Sequence, residues 1–371
     1  MKIVCTRDNL RQGISRVERA VGRNSTLPIL ASIMLETEKG LLKISATNLE
    51  IGVIAYIRSR VETEGKTTIP VAVFSGIVHN LKDEKITLEL VGTSLKISGN
   101  AFESKIRTIS ADDFPLIPKV DDGLQWRVKA KDLRDSIRRV LPSVSNLDTK
   151  MELTGVFFSV AEKKLTLAST DGYRLAEKII DCEGTKEEES NFIVPGSSLQ
   201  EVERIFGEDS SDILITVSEN QISFQKEDIY FVSRLIEGKY PDYKQIIPNK
   251  FKAETRIDKL KLLDALKMAG IFSLNQTKDV KIAVEPEKIL INTGSGEFGE
   301  HHAEIPAEVK GESFEVSFNH QFLQDGLSNI GEEDIVLFLN DSNGASLMRG
   351  WDEKNSSAKK DFLYIVMPIR Q

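Results

Sequence analysis

The chain has 371 residues, of which 40% are hydrophobic and 29% are charged, and its formal net charge is −8. That length exceeds what one hydrophobic core usually supports, so we expect two or three domains. No apolar run approaches the roughly 20 residues of a membrane-spanning helix. Cys5 and Cys182 lie far apart and lack a CxxC spacing, so we expect two structural thiols in a reduced, cytoplasmic compartment. The acidic balance argues against a nucleic-acid partner unless positive charge is concentrated locally.

The first 120 residues predict two helices, each followed by strands. Residues 7–23 carry apolar side chains at helical spacing, and the segment IPVAVF at 69–74 opens a second helical pattern. The tetrapeptide LKIS follows each helix, at 42–45 and again at 95–98, within an alternating strand pattern. The repeated unit is therefore a strand, a helix and three strands, and this part of the chain holds two of them.

The same pattern returns along the rest of the chain. Thr47, Thr170 and Thr293 are spaced 123 residues apart in LKISATNL, LTLASTDGYRL and KILINTGS. Regular self-similarity indicates a repeat architecture. Proline-containing segments at 111–123 and 237–250 are typical of extended connectors. We predict an α+β fold of three tandem domains, 1–120, 121–250 and 251–371, each made of two strand–helix–three-strand half-units.

Each repeat opens with a basic stretch of helical pattern in an otherwise acidic chain. Residues 7–23 carry a net charge of +3, 127–139 of +4 and 258–267 of +1, which leaves −16 for the rest. Arg134 and Arg138 are four residues apart, so they share a helix face. A solvated surface explains any one such helix, but corresponding positions in successive repeats favour a continuous basic wall. Such a wall suits phosphate contacts without sequence preference.

The sequence offers little support for catalysis. Its four histidines lack metal-ligand spacing, and no GxxxxGK[ST] loop is present. Asp171, Tyr173 and Arg174 are conceivable acid and anchor groups, but no histidine or cofactor loop lies near them in sequence. We therefore predict no catalytic residue, no metal and no cofactor. A repeat-built enzyme that uses the Asp171–Arg174 region and a protein-only scaffold stay open as alternatives.

Four motifs resemble, in order and spacing, those of the bacterial DNA polymerase III β subunit family of sliding clamps. They are TLPIL at 26–30, STDGYRLA at 169–176, YPDY at 240–243 and VMPIRQ at 366–371. The resemblance covers the whole chain. It implies a non-catalytic, head-to-tail homodimeric ring, helices inside and sheets outside, that encircles duplex DNA and tethers the DNA polymerase III catalytic subunit for processive replication. It also implies that the clamp loader, other polymerases and mismatch-repair proteins dock through a peptide-binding pocket.

The basic helices and the resemblance together give candidate site residues. Met151 and Glu152 stand where such clamps often carry aromatic residues, and the Glu152 carboxylate would weaken a DNA contact there. The candidate DNA contacts are Arg7, Arg11, Arg23, Arg134, Arg138 and Lys150. The resemblance implies a pocket wall of Leu153, Thr170, Gly172, Tyr173, Arg174, Leu175, Pro241, Ile246, Met367, Pro368, Ile369 and Arg370. The candidate centre of a joint between domain 1 of one protomer and domain 3 of the other is Ile106, Ile271 and Phe272.

Overall fold

The computed structural model describes residues 1–22, 27–147, 149–184, 189–207, 210–273, 278–294 and 299–369. Within these ranges six half-units follow one another, each with a strand, an α-helix and three further main strands. This is the half-unit that the two LKIS segments predict. No helix in the described ranges is long and apolar enough to cross a membrane.

Each repeat contributes two helices and two sets of strands. The elements of the first repeat are β1 (Lys2–Thr6), α1 (Arg7–Val17), β2 (Ser32–Glu38), β3 (Leu41–Thr47), β4 (Ile51–Arg58), β5 (Arg60–Thr63), β6 (Lys66–Pro70), α2 (Val71–Asn80), β7 (Lys85–Val91), β8 (Ser94–Ser98) and β9 (Glu103–Arg107). Those of the second are β10 (Leu124–Lys129), α3 (Ala130–Val140), β11 (Gly155–Ala161), β12 (Lys164–Thr170), β13 (Arg174–Asp181), β14 (Glu183–Gly184), β15 (Ser190–Pro195), α4 (Gly196–Ile205), β16 (Asp212–Val217), β17 (Gln221–Lys226) and β18 (Ile229–Arg234). Those of the third are β19 (Ala253–Asp258), α5 (Lys259–Phe272), β20 (Asp279–Glu285), β21 (Lys288–Asn292), β22 (His302–Gly311), β23 (Phe314–Asn319), α6 (His320–Ser328), β24 (Asp334–Leu339), β25 (Ser346–Asp352), β26 (Ser357–Ala358) and β27 (Phe362–Val366).

Polar side chains fix where several helices begin. Thr6, Asp258 and Asn319 each accept a backbone N–H from the first turn of α1, α5 and α6. Helix α1 ends at Val17, before the predicted end of its helical pattern. The prediction of helix from residue 127 was wrong, because residues 124–129 form β10. There Trp126 and Val128 are buried and the residues between and after them are exposed, which is the period of a strand.

The strand ladders correct one equivalence between the repeats. Strands β3, β12 and β21 follow two-residue hairpin turns and start at positions 41, 164 and 288. The offset between the first two repeats is therefore 123, but that between the second and third is 124. Thr47 and Thr170 occupy the same position, whereas Thr293 corresponds to Ser169. The predicted equivalence of Thr293 was wrong by one residue, because an insertion of that size is invisible without the ladder.

The described strands lie in two compact units. The first unit comprises Met1–Lys131, residues 183–184 and Gln200–Leu235, and it holds the sheets β5-β1-β7-β8-β9 and β14-β10-β16-β17-β18-β4-β3-β2-β6. The second comprises Asp132–Cys182, 189–199 and 236–369. Its sheet has the order β15-β11-β12-β13-β27-β25-β24-β19-β22-β21-β20-β23, with β26 beside β25. The domain boundaries at 120 and 250 stay predictions.

Sheets join successive repeats edge to edge. Strand β4, the third main strand of the first half-unit in repeat 1, pairs antiparallel with β18, the third of the second half-unit in repeat 2. Strands β13 and β27 make the same pairing between repeats 2 and 3. Each junction thus joins the first half-unit of one repeat to the second half-unit of the next.

Helix α1 packs closely on one face of its sheet. On α1, a Cβ at Gly13 would lie 2.7 Å from Ile57 Cγ2 and 2.9 Å from Ile44 Cδ1. The helix therefore approaches the sheet to a distance that a larger residue prevents. Leu10 and Ile14 on the helix and Ile44 on the sheet are fully buried.

Candidate peptide-binding site and charged surfaces

The predicted pocket is built around the turn that joins β12 to β13. Thr170 Oγ1 donates a hydrogen bond of 2.6 Å to the Arg174 carbonyl and accepts one of 3.1 Å from Gly172 N. Asp171 Oδ1 accepts hydrogen bonds from the backbone nitrogens of Tyr173 and Arg174 at 2.9 and 3.0 Å. The Asp171 carboxylate therefore holds the backbone of the turn, which is a structural role that aspartate commonly plays.

The turn between β3 and β4 in the first repeat has the same hydrogen bonds. Thr47 Oγ1 donates to the Ile51 carbonyl at 2.7 Å and accepts from Leu49 N at 3.0 Å, and Asn48 Oδ1 accepts from two following backbone nitrogens. The third residue is left-handed in both turns, with φ of 76° at Leu49 and 91° at Gly172. The turn is therefore a feature of the repeated fold, and the second copy differs from the first by its Gly-Tyr-Arg sequence.

The Arg174 guanidinium already has partners within the protein. Its Nε lies 2.9 Å from Asp171 Oδ2, an Nη binds Asp325, and the group lies 4.5 Å from the centroid of the Phe322 ring. Only 12% of the side chain is exposed. Its contacts fasten the turn to α6. The expected contact of Arg174 with a peptide stays a prediction.

The C-terminal segment runs beside this turn. Strand β27 pairs with β13, and Met367 N extends the ladder with a 2.8 Å hydrogen bond to the Tyr173 carbonyl. Ile369 N donates to the Ser317 carbonyl at 2.8 Å. The structure thus brings together the two parts of the predicted wall that lie at 170–175 and 367–369. Arg370 lies outside the described residues.

Tyr173 is the most accessible side chain of the turn that could meet a partner. Its ring stacks on Phe322 with 6.4 Å between centroids, yet 65% of the residue is exposed. An aromatic ring held on one face and open on the other offers apolar area at little entropic cost.

An apolar cluster forms the floor beneath the turn. Leu153 and Leu175 are buried members of one cluster, and Met367 packs against it. Leu175 is fully buried and Leu153 is 7% exposed. Leu153 and Leu175 therefore belong to the hydrophobic core of the protomer. Leu153 is the buried member of the cluster with most accessible surface.

Two tyrosines for which no role was predicted position the turn. Tyr240 Oη accepts a hydrogen bond of 3.0 Å from Thr170 N, and its ring stacks on Phe157 at 5.2 Å. Tyr243 Oη donates to Glu177 at 2.6 Å. Burial raises the pKa of Tyr240, and burial with the nearby Glu177 raises the pKa of Tyr243, so both hydroxyls stay protonated. The YPDY motif contains both residues and was the available signal.

Pro241 and Ile246 lie on the exposed side of the connector between the second and third repeats. Ile246 is 48% exposed, while Tyr243 at the start of the same short 3-10 turn points into the core. Pro368 is half-buried. Their place in the apolar rim of a peptide-binding pocket stays a prediction.

The candidate DNA contacts on α1 differ in their ion pairs and in how far their side chains are exposed. Arg7 pairs with Asp8 at 3.0 Å, and Arg11 is half-buried. Arg16, which shares the helix, pairs with Asp228 at 2.6 Å. Arg23 lies outside the described residues.

Those on and after α3 are more accessible. Arg138 and Lys150 are exposed and Arg134 is half-buried. The neighbouring Arg139 pairs with Asp135 at 2.7 Å and lies over a phenylalanine ring. Arg138 is therefore the α3 arginine best placed to meet an outside anion.

The three candidate interface residues occupy different environments. Ile106 on β9 is only 7% exposed within its own protomer. Ile271 at the end of α5 is 59% exposed, and the Phe272 ring stacks on His301 with 5.9 Å between centroids. Ile271 thus has far more free surface than Ile106. The interface role of all three stays a prediction.

The two thiols are structural. Cys5 and Cys182 are buried and unpaired. Burial raises the pKa of Cys5 to about 12 and that of Cys182 to about 11, so neither forms the reactive thiolate at neutral pH. Across the described ranges, no group of three or more His, Cys, Asp or Glu side chains is arranged to hold a metal ion.

Within the described ranges, six half-units in three repeats define a repeat-built protein, and the Asp171 carboxylate of its turn is committed to the backbone and to Arg174. Models of the DNA polymerase III beta subunit match its N-terminal domain to residues 1–118, its central domain to 127–242 and its C-terminal domain to 244–370. The chain belongs to the DNA polymerase III beta subunit family. This family is that of the beta sliding clamp, a non-catalytic processivity factor in replication, so the alternative of a repeat-built enzyme is wrong.

Relatives match the chain over its full length. The beta sliding clamp of Synechococcus elongatus is 31% identical, covering 100% of this chain and 99% of the relative. The structure of the DNA polymerase III beta subunit from Thermotoga maritima is 29% identical, with a TM-score of 0.91, and covers 100% of this chain and 99% of that one. A DnaN sliding clamp from Pseudomonas aeruginosa bound to griselimycin is 25% identical, with a TM-score of 0.94 and 100% coverage of both chains. The predicted three-domain clamp fold is confirmed.

Proposed function

We propose that two copies of this chain form a head-to-tail ring in the cytoplasm, that the ring encircles duplex DNA without sequence specificity, and that it tethers the DNA polymerase III catalytic subunit. The observation that carries the proposal is the way sheets join successive repeats. Each internal junction uses the third strand of a first half-unit and that of a second half-unit. The third strand of one first half-unit and the third strand of one second half-unit remain without such a junction.

The remaining strands are β9 in repeat 1 and the first half of β22 in repeat 3. In the described part of the chain, β9 pairs with β8 alone, and residues 302–306 of β22 pair with β21 alone. An unpaired edge invites pairing with another chain. Head-to-tail contacts close into a ring when the rotation between copies permits it, and a ring of two copies leaves neither of these edges unpaired.

The charge distribution supports sliding on DNA. Basic side chains gather on the helices that open the first two repeats, in a chain whose overall charge is −8. Phosphate contacts of this kind give binding that is strong at low salt and indifferent to sequence. An acidic remainder disfavours DNA elsewhere on the surface.

The test uses DNA topology. The protein, loaded onto a nicked circular duplex, should stay bound through gel filtration and should leave once the circle is cut to a linear form. A variant that cannot dimerise serves as the control and should be lost from both. Equal loss of the intact protein from circular and linear DNA would disprove threading.

We propose that the apolar site at the turn 170–175 docks short peptide segments of the polymerase, the clamp loader, other polymerases and mismatch-repair proteins. The support is the buried pair Leu153 and Leu175, the exposed ring of Tyr173, and the adjoining residues 367–369. An adaptable apolar surface with a methionine fits several partners.

Deletion of residues 367–371 should abolish binding of a synthetic clamp-binding peptide and leave the dimer intact. Leu116→Ala is the matched control, because it removes an apolar side chain that is 92% exposed on the connector of the first repeat. Peptide affinity is measured by fluorescence anisotropy and mass by native mass spectrometry. Unchanged peptide binding after the deletion would rule the site out.

A further inference from the structure

We infer the register of the joint between two copies: Glu103 lies opposite the partner's His302, Ser104 opposite the partner's His301, and Lys105 opposite the partner's Glu300. The inference rests on the proposed head-to-tail dimer and adds which residues face one another. It also makes the closing joint electrostatic, where the corresponding positions of the β4–β18 junction are apolar.

The two internal junctions share one register. Between β4 and β18, Gly52 lies opposite Val232, and the ladder continues in both directions. Between β13 and β27, Leu175 lies opposite Ile365. Positions 52 and 175 correspond to each other in the two repeats. In each case the residue pairs with the last residue of the preceding strand: position 47 pairs with 52, and position 170 pairs with 175. The residues that face them, Val232 on β18 and Ile365 on β27, also occupy the same position, as the pairing of these strands with β17 and β25 shows.

The register carries over to the closing strands. Lys288 pairs with Pro306 as Lys164 pairs with Asp181, so position 300 of repeat 3 corresponds to position 175. The pairing of β7 with β8 and of β8 with β9 matches that of β16 with β17 and of β17 with β18. Ser104 on β9 therefore occupies in repeat 1 the position that Phe231 occupies in repeat 2. Phe231 lies opposite position 53, which corresponds to position 301. Ser104 therefore meets the partner's His301.

Side chains on the outer face then pair by charge. At the internal junction of β4 and β18, the outer positions Ile54, Tyr230 and Val232 belong to one buried apolar cluster. At the closing joint the corresponding positions are Glu103 and Lys105, which face the partner's His302 and the partner's Glu300. All four are exposed in the protomer. Opposite charges across an antiparallel pair are stabilising.

The inner face supplies an apolar contact. A hollow of about 410 Å³ lies beside β9 and is lined by Ile77, Leu81, Phe102 and Ser104 among others. Because the partner's His301 faces Ser104, the partner's Phe272, stacked on that histidine, comes to the hollow. The exposed Ile271 precedes it. Phe102 and the hollow thus replace the already buried Ile106 as the apolar contact on this side.

Disulfide trapping tests the register. Residues directly opposite in an antiparallel pair have Cα atoms about 5 Å apart, within reach of a disulfide, whereas a shift of two residues separates them by about 8 Å. The double variant Lys105→Cys/Glu300→Cys should give covalent dimers under mild oxidation. The matched control, Lys105→Cys/His302→Cys, should not. Trapping of the control alone, or no trapping of either in a sample that is dimeric by native mass spectrometry, would overturn the register. A sample that is monomeric would instead overturn the proposed ring.

A charge reversal tests the electrostatics. Lys105→Glu should weaken dimerisation up to about fivefold at each joint, and because the ring has two identical joints the dissociation constant changes by about the square of that factor. Adding Glu300→Lys should restore it. Lys85→Glu, on the same sheet but two strands away, is the control and should leave the dimer unchanged. Failure of the second substitution to restore the dimer would contradict the pairing.

Discussion

Tyr173 is the side chain that most clearly separates the turn of the second repeat from that of the first. The two turns share their hydrogen bonds, but position 50 of the first is Glu where the second has Tyr173. Tyr173→Ala should lower peptide affinity by about tenfold, since it removes an exposed ring that offers most of its face to a partner. The folded state should be little affected.

Leu49→Ala is the matched control for that experiment. Leu49 is 48% exposed and lies in the corresponding turn, so its truncation removes comparable apolar area from a place where no peptide is expected. Anisotropy titrations of both variants with one peptide give the comparison. Equal losses would show that the turn in the second repeat has no special role.

Gly172 has a backbone conformation that an L-residue adopts with strain. Its φ is 91°, and a Cβ would meet nothing within 4 Å, so Gly172→Ala adds backbone strain without a clash. We expect a loss of about 1 kcal/mol in the free energy of unfolding. Gly76→Ala is the control: Gly76 lies inside α2, also with open space around it, and alanine there should stabilise by about 0.5–1 kcal/mol. Urea denaturation midpoints that move in the same direction for both variants would contradict the expected backbone strain at Gly172.

The sequence predicted the turn residues of the site but not the groups that hold them. The STDGYRLA motif pointed to Thr170–Leu175, and the structure places these residues beside the C-terminal segment. The hydrogen bond from Thr170 N to Tyr240 joins residues 70 positions apart. No local periodicity encodes such a contact, because it depends on how the connector packs across the sheet.

At the scale of elements, α3 is where the sequence placed most positive charge. Arg138→Ala should reduce the slope of log K against log salt for duplex DNA by about 0.9, the value for one lost phosphate contact. Arg139→Ala should lower thermal stability instead, because Arg139 pairs with Asp135 and lies over Phe362. Binding isotherms at several salt concentrations distinguish the two. A slope unchanged by Arg138→Ala would remove α3 from the DNA contacts.

Element order was more predictable than element boundaries. Apolar periodicity and the repeated LKIS segments gave the strand–helix–three-strand unit, which all six half-units have. The start of α3 was misplaced because Arg127 and Lys129 resemble the basic residues of the helix that follows. Their alternation with Trp126 and Val128 was the better guide, since burial rather than charge decides a strand.

At the scale of the whole molecule, two kinds of sheet junction imply two kinds of stability. The β4–β18 junction buries apolar side chains such as Ile54 and Val232, and at the β13–β27 junction the buried Lys178 pairs with Asp361, whereas the inferred closing joints pair exposed charges. Salt at 1 M reduces the Debye length to about 3 Å and screens exposed pairs, but it does not weaken apolar contacts. The joints between copies should therefore fail before the protomers do.

This difference predicts the order of events in a salt titration. Between 0.1 and 1 M sodium chloride, sedimentation equilibrium should show the dimer dissociation constant rising by about tenfold or more, with thermal unfolding of the protomer unchanged or shifted upward. The charge-reversed pair Lys105→Glu/Glu300→Lys should behave like the parent chain, since it keeps one attraction at each joint. A dissociation constant that is independent of salt would mean that the apolar hollow beside β9, and not the charged ladder, dominates closure. In that case Phe102→Ala, rather than Lys105→Glu, would be the substitution that opens the ring.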